Sequence, residues 1–138
     1  MGDISRLANI NPVVRATVLI IFYRERDNDV PFLEWFDQLP EKAKIRCRAR
    51  LKVLAVQGHS LRRPAADYLR DGIYELRARS GRVQYRMLYF FHGRTAVVIS
   101  HGITKQGAAV PPTEIERARR RKQTFEDDPP RHTHKEAL

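Results

Sequence analysis

Residues 73–103 read IYELRARSGRVQYRMLYFFHGRTAVVISHGI, and the fold turns on them. β-Branched and aromatic residues crowd three runs, Ile73–Arg79, Arg82–Phe91 and Thr95–Ile103, separated by Ser80-Gly81 and His92-Gly93. Runs of this composition, bounded by glycine-containing pairs, predict a three-stranded antiparallel meander with two-residue turns. With both turns that short, Arg79 faces Arg82, Arg77 faces Gln84 and Glu75 faces Arg86. Across the second turn, Arg86 faces Ile99 and Gln84 faces His101. Side chains alternate faces along a strand. One face then collects Glu75, Arg77, Gln84, Arg86 and His101, and leads out toward Lys105. The other collects Tyr74, Leu76, Tyr85, Met87, Tyr89 and Val98, an apolar surface fit to pack against helices.

Upstream, Ala16–Tyr23 (ATVLIIFY) is β-branched and too short for a typical helix, so it reads as a buried strand. Asp29 as cap and Pro31 in the first turn mark a helix start, with Phe32, Phe36 and Leu39 at helical spacing until Pro40 stops it. Residues 41–57 carry two patterns. KAKIRCRARLKV alternates charged and apolar residues as a strand does, whereas Cys47, Leu51, Leu54 and Ala55 fit one face of a helix. The helix-forming composition decides for a helix that ends at Gly58. Residues 58–72 read as a loop. Thr113 to Glu116 has the form of a capping box and opens a last helix with acidic residues first and Arg117 to Lys122 after. The order is β-α-α-β-β-β-α, an α+β domain. Residues 1–15 read as a lead-in, 16–126 as the domain and 127–138 as a disordered tail.

The 138 residues suit one domain. Lysine and arginine number 26 against 16 acidic residues, a formal charge of +10 that calls for an anionic partner. A single cysteine, Cys47, rules out an intramolecular disulfide and a zinc finger. The longest apolar run, Val18 to Tyr23, is far short of a membrane span, and MGDISRLANINP lacks the layout of a signal peptide. The reading is a cytoplasmic protein with no membrane role.

Two arginines, a histidine and a nearby lysine on one sheet face suit a phosphodiester. Arginine presents a fork of donors to phosphate oxygens, and histidine exchanges a proton near neutral pH. RNA cleavage needs little more: the 2′-hydroxyl attacks the adjacent phosphorus, and cations stabilise the charge that builds there. Arg79, Arg82 and Gln84 on the meander, with Arg62 and Arg63 in the long loop, are the candidate RNA contacts. The same face also reads as a solvated surface, with Glu75 and Arg86 as an ordinary cross-strand ion pair.

Asp71-Gly-Ile-Tyr-Glu-Leu-Arg77, Tyr85-Arg-Met-Leu-Tyr-Phe90, Ser100-His-Gly-Ile-Thr-Lys105 and Pro112-Thr-Glu-Ile-Glu-Arg-Ala118, in that order, resemble the RelE/HigB toxin superfamily, and most nearly its phage-derived HigB-like branch. The resemblance spans roughly residues 16–125. It implies a small RelE-like α+β domain with a mostly antiparallel sheet and flanking helices. It also implies the toxin of a type II toxin–antitoxin pair, an endoribonuclease that cuts messenger RNA on the ribosome, uses no metal or cofactor and leaves a 2′,3′-cyclic phosphate. The implied partner is an antitoxin with a helix-turn-helix, through which alone the operator DNA is met. Carried over by motif, Arg86 stabilises the transition-state charge, while Arg77 and Lys105 hold phosphate or assist the leaving group. His101 is the local candidate for proton transfer. Gln106, Gly107, Ala108 and Ala109 stand where basic residues are common in this branch. Ile73 and Glu75 replace lysines of RelE proper, and no tyrosine follows Tyr89. Two other readings stand beside the nuclease: a non-catalytic RNA- or ribosome-binding relative, and an interaction module whose basic surface serves an acidic antitoxin.

Overall fold

The computed structural model describes residues 17–105, 107 and 109–138, so the lead-in expected over residues 1–15 lies outside the described residues. Six strands, β1 (Leu19–Tyr23), β2 (Ala66–Arg70), β3 (Ile73–Ser80), β4 (Val83–His92), β5 (Ala96–Lys105) and β6 (Thr133–His134), form one sheet in the order β2-β3-β4-β5-β1-β6. Only the β1–β5 pairing is parallel. Three helices flank the sheet: α1 (Pro31–Phe36), α2 (Glu41–Gln57) and α3 (Pro112–Asp127). The fold is the α+β architecture expected of a small RelE-like domain. Among the described residues, no helix is long and apolar enough to cross a membrane.

Residues 41–57 are helical, because Ala43, Cys47, Leu51 and Leu54 bury one stripe. That stripe packs with Phe32 and Phe36 of α1 onto Phe22, Leu76, Tyr85, Met87 and Tyr89 of the sheet. Gly58 ends α2 with φ +52, and its N–H bonds the Leu54 carbonyl. The helix starts differ in detail. Val30 precedes α1 and Pro111 precedes α3, neither with a side-chain cap, so Asp29 and Thr113 do not cap as expected. A proline at the first position of each needs no N–H partner there.

Both hairpins depart from the expected register. In the first, Ser80 pairs with Val83, so the turn is Gly81-Arg82. The pairs become Arg79–Gln84, Arg77–Arg86 and Glu75–Leu88, a slip of two residues. An even slip keeps every side chain on its face. In the second, His92 pairs with Ala96, leaving residues 93–95 in the turn. That odd shift moves Val98 opposite Phe90, into the core beneath α3 and away from the face assigned to it. A bulge then corrects the parity. Leu88 pairs with His101 but Tyr89 pairs with Ile99, so Ser100 is the extra residue, and His101 returns to the arginine face.

The structure adds two strands and two short 3-10 turns to the expected elements. The supposed loop 58–72 contains a short 3-10 turn, Gly58–Ser60, and the edge strand β2. The signal for β2 was Asp71-Gly72, a pair suited to tight hairpin turns; both residues have positive φ (53° and 80°). The segment expected to be a disordered tail instead forms a 3-10 turn, Pro129–His132, and β6, which pairs with β1. His132 is buried there, with Nδ1 donating to the Arg24 carbonyl at 2.8 Å and its ring stacked on Tyr23.

Gly102 fixes how α1 lies on the sheet. A Cβ there would sit 2.0 Å from Trp35 Cε3. The indole rests on bare backbone and donates from Nε1 to Thr104 Oγ1 at 3.0 Å. Gly102→Ala is expected to displace Trp35 and lower stability by about 1–3 kcal/mol, the usual cost of overpacking, read as a fall in Tm. A Tm equal to that of the native chain would show that the ring yields freely.

Candidate functional site

The second sheet face is only partly roofed. α3 lays Ile115, Ala118 and Phe125 over Ile21, Ile73, Leu88, Phe90 and Val98. Toward the Gly81 turn and the end of β5, the same face passes to polar residues in cross-strand rows. One row is Arg79, Gln84 and Lys105; the next is Arg77, Arg86 and Ile103; the third is Asp67, Glu75, Leu88 and His101. The structure therefore brings Arg77, Arg79, Gln84, Arg86, His101 and Lys105 onto one face. Arg82 lies in the turn, while Arg62 and Arg63 lie in the loop before β2.

Arg86 is not the exposed side chain expected of it. It is 7% exposed, and Glu75 beside it is 5% exposed. Glu75 Oε1 lies 2.8 Å from Arg86 Nε, and its Oε2 accepts from Arg77 Nη2 at 3.0 Å. Arg86 Nη2 also donates to Gln84 Oε1. Arg77 makes a second bond to Asp67 Oδ2 at 3.3 Å, an oxygen that also accepts from Arg63 Nε at 2.9 Å. One carboxylate thus holds both arginines, and a second, from the missed strand, backs Arg77. Arg77 remains 31% exposed, and its Nε is buried without a hydrogen-bond partner among the described residues. Asp67 was not legible as a site residue, because β2 itself was not.

The outer row is more open. Arg79 Nε donates to the Gly81 carbonyl at 2.9 Å, and Lys105 Nζ bonds the Ala109 carbonyl. Arg82 is exposed.

His101 is 6% exposed and uses both ring nitrogens internally. Nε2 lies 2.9 Å from Glu114 Oε1, and Nδ1 lies 2.8 Å from Ser100 Oγ. A carboxylate only accepts, so Nε2–H donates to Glu114 and the Ser100 hydroxyl donates to Nδ1. Burial pushes the imidazole down to about 4, assisted by Arg121, against the upward pull of Glu114. The ring is neutral at physiological pH and has no free nitrogen for a substrate proton. The proton-transfer role expected of His101 is not what this geometry offers; it ties the β5 bulge to α3.

The unfolded imidazole binds a proton near its ordinary 6.5, while the folded one resists until about 4. Stability contributed by neutral His101 is complete above pH 6.5 and is lost as pH falls toward 4. Within that window the slope from this one group is on the order of 1 kcal/mol per pH unit. His101→Gln is expected to flatten the pH dependence of Tm between 4 and 6.5. An unchanged profile would exclude His101 as its source.

A search of the curated proteins found no match. The family model described as "Phage derived protein Gp49-like (DUF891)" matches residues 34–123. That span runs from α1 through most of α3 and includes both arginines, His101 and Lys105. It covers well over half of the chain, which therefore belongs to the phage-derived Gp49-like family, within the RelE/HigB-like toxins.

Proposed function

We propose that this protein is the toxin of a toxin–antitoxin pair and acts as a HigB-like endoribonuclease on messenger RNA at the ribosome. The observation that carries the reading is the direct cross-strand pairing of Arg77 with Arg86, next to the Arg79–Gln84–Lys105 row. Like charges directly opposite one another are unfavourable in a sheet. Here a buried carboxylate keeps them together, and Arg77, 31% exposed, still presents part of its guanidinium to a phosphate oxygen.

In this reading Arg77 is the phosphate-facing cation, because it is partly exposed and donor-rich. Arg79 and Lys105 extend the cationic surface along the RNA strand. Arg86, held by Glu75, orients Arg77 and adds positive potential behind it. The 2′-hydroxyl gives its proton to solvent and attacks phosphorus, and the P–O5′ bond breaks. Lys105 gives a proton to the leaving 5′-oxygen and regains one from solvent, and the products carry a 2′,3′-cyclic phosphate and a 5′-hydroxyl. Charge on the non-bridging oxygens is met by guanidinium donors, a contribution of several kcal/mol in a preorganised site. No metal takes part in this scheme. The partner is an antitoxin with a helix-turn-helix, through which the operator DNA is reached, and the setting is the cytoplasm.

Arg77→Ala is expected to lower cleavage of ribosome-bound message by roughly 10²-fold or more, as for loss of one transition-state charge stabiliser. Chelator should leave the native activity intact. Arg86→Ala behaves differently, because it leaves buried Glu75 with Arg77 alone and its Oε1 unpaired, at a cost of about 1–3 kcal/mol. Its Tm should fall together with its activity. Toxicity and cleavage undiminished in a folded Arg77→Ala protein would overturn the assignment. A native chain that neither arrests growth nor cuts RNA would leave the non-catalytic binding reading in its place.

A further inference from the structure

The groove on the outer side of β2 is not used by this scheme. It has a volume of about 700 Å³ and is lined by His59, Arg62, Arg63, Asp67, Tyr68 and Tyr74, among others. Tyr68 stands on the edge strand and is 53% exposed, yet it is held firmly. Its hydroxyl accepts from the Gly72 N–H at 3.1 Å, and its ring meets Tyr74 edge-on with centroids 5.0 Å apart. His59 stacks on Phe91 at 3.7 Å nearby. Arg63 is 76% exposed and touches Asp67 through Nε. The same Asp67 oxygen bonds Arg77, so the groove and the arginine face meet at one carboxylate on either side of a single edge strand.

We propose that this groove is a subsite for a nucleotide flanking the scissile bond, with its base stacked on Tyr68 and its phosphate on Arg63. The proposal rests on the RNA reading above for the strand that reaches it. A fixed, half-exposed aromatic face beside arginine is the pairing that binds single-stranded nucleic acid without reading sequence. An acidic peptide would use the cations but gain little from the ring. β2 is the edge of the sheet, so one strand can pass from the Arg77 face round it into the groove.

The test is a fluorescence-anisotropy titration of the full chain with labelled single-stranded RNA, 2′-O-methylated throughout to prevent cleavage. A matched abasic strand carries the same phosphates without bases. The native chain should bind the RNA more tightly than the abasic strand. Tyr68→Ala should weaken RNA binding roughly tenfold, the order expected for one lost stacking contact, and leave abasic binding unchanged. Tyr68→Phe and Tyr68→Trp should keep the native preference. Equal affinity of the native chain for both strands, or no binding of either, would overturn the subsite. So would a Tyr68→Ala loss shared equally by both strands, or one seen only with a protein partner. Tyr68-dependent binding, together with no cleavage of unmodified ribosome-bound message in a parallel assay, keeps the subsite and removes the nuclease reading. Cleavage with indifference at Tyr68 removes the subsite alone.

Discussion

Glu75 is a buried carboxylate whose two oxygens each meet a different arginine, and the polar half of the sheet depends on it. Arg86 is buried, and a buried guanidinium persists only when it is paired. Arg77 lies directly opposite it in register, where like charges repel. Glu75 sits two residues along β3 from Arg77, on the same face, and resolves both demands. Asp67 repeats the device from β2, sharing one oxygen between Arg63 and Arg77. The guanidiniums are therefore fixed before any ligand arrives, so less side-chain freedom is lost when a phosphate is bound. The same network couples the edge strand to the site and gives β2 a role beyond closing the sheet.

A second constraint is parity. The longer second turn displaces β5 by an odd number of residues, and the Ser100 bulge displaces it again. Each shift alone would put His101 and Lys105 on the wrong face; together they restore it. Between the two irregularities, Val98 is given to the core under α3, while Ile99 joins the core under α1 and α2. Beyond the bulge, His101 meets Glu114 and Lys105 lines up with Gln84. The bulge thus divides β5 into a stretch that builds both cores and a stretch that serves the charged face.

The basic surface has parts of different character. Arg86 and His101 are enclosed and internally bonded, and act on the architecture as much as on any ligand. Arg63, Arg79 and Arg82 stand in solvent. Arg77 lies between these groups, partly exposed and partly bound. This gradation from the interior to the rim keeps the positive charge in place without an uncompensated buried cation, and it explains why residues of one type on one face carry unequal weight.

Local chemistry was enough to identify the meander, the helix over 41–57, the α+β class and the separation of Arg77 and Arg86 from the Tyr85–Met87 face. Each follows from composition, from the two periodicities and from glycine or proline at the breaks, all of which act over a few residues. The family resemblance was legible for the same reason, as short strings in fixed order. Tertiary structure alone decided that Glu75 would hold both arginines, that Asp67 would join them from an unrecognised strand and that His101 would be sealed against α3. It also decided that the segment after Asp127 would add β6 to the sheet. These outcomes depend on register, on which turn is taken and on what lies across the sheet. Turn length and bulges shift pairing by single residues, and nothing in the alternation of side chains marks such a shift in advance.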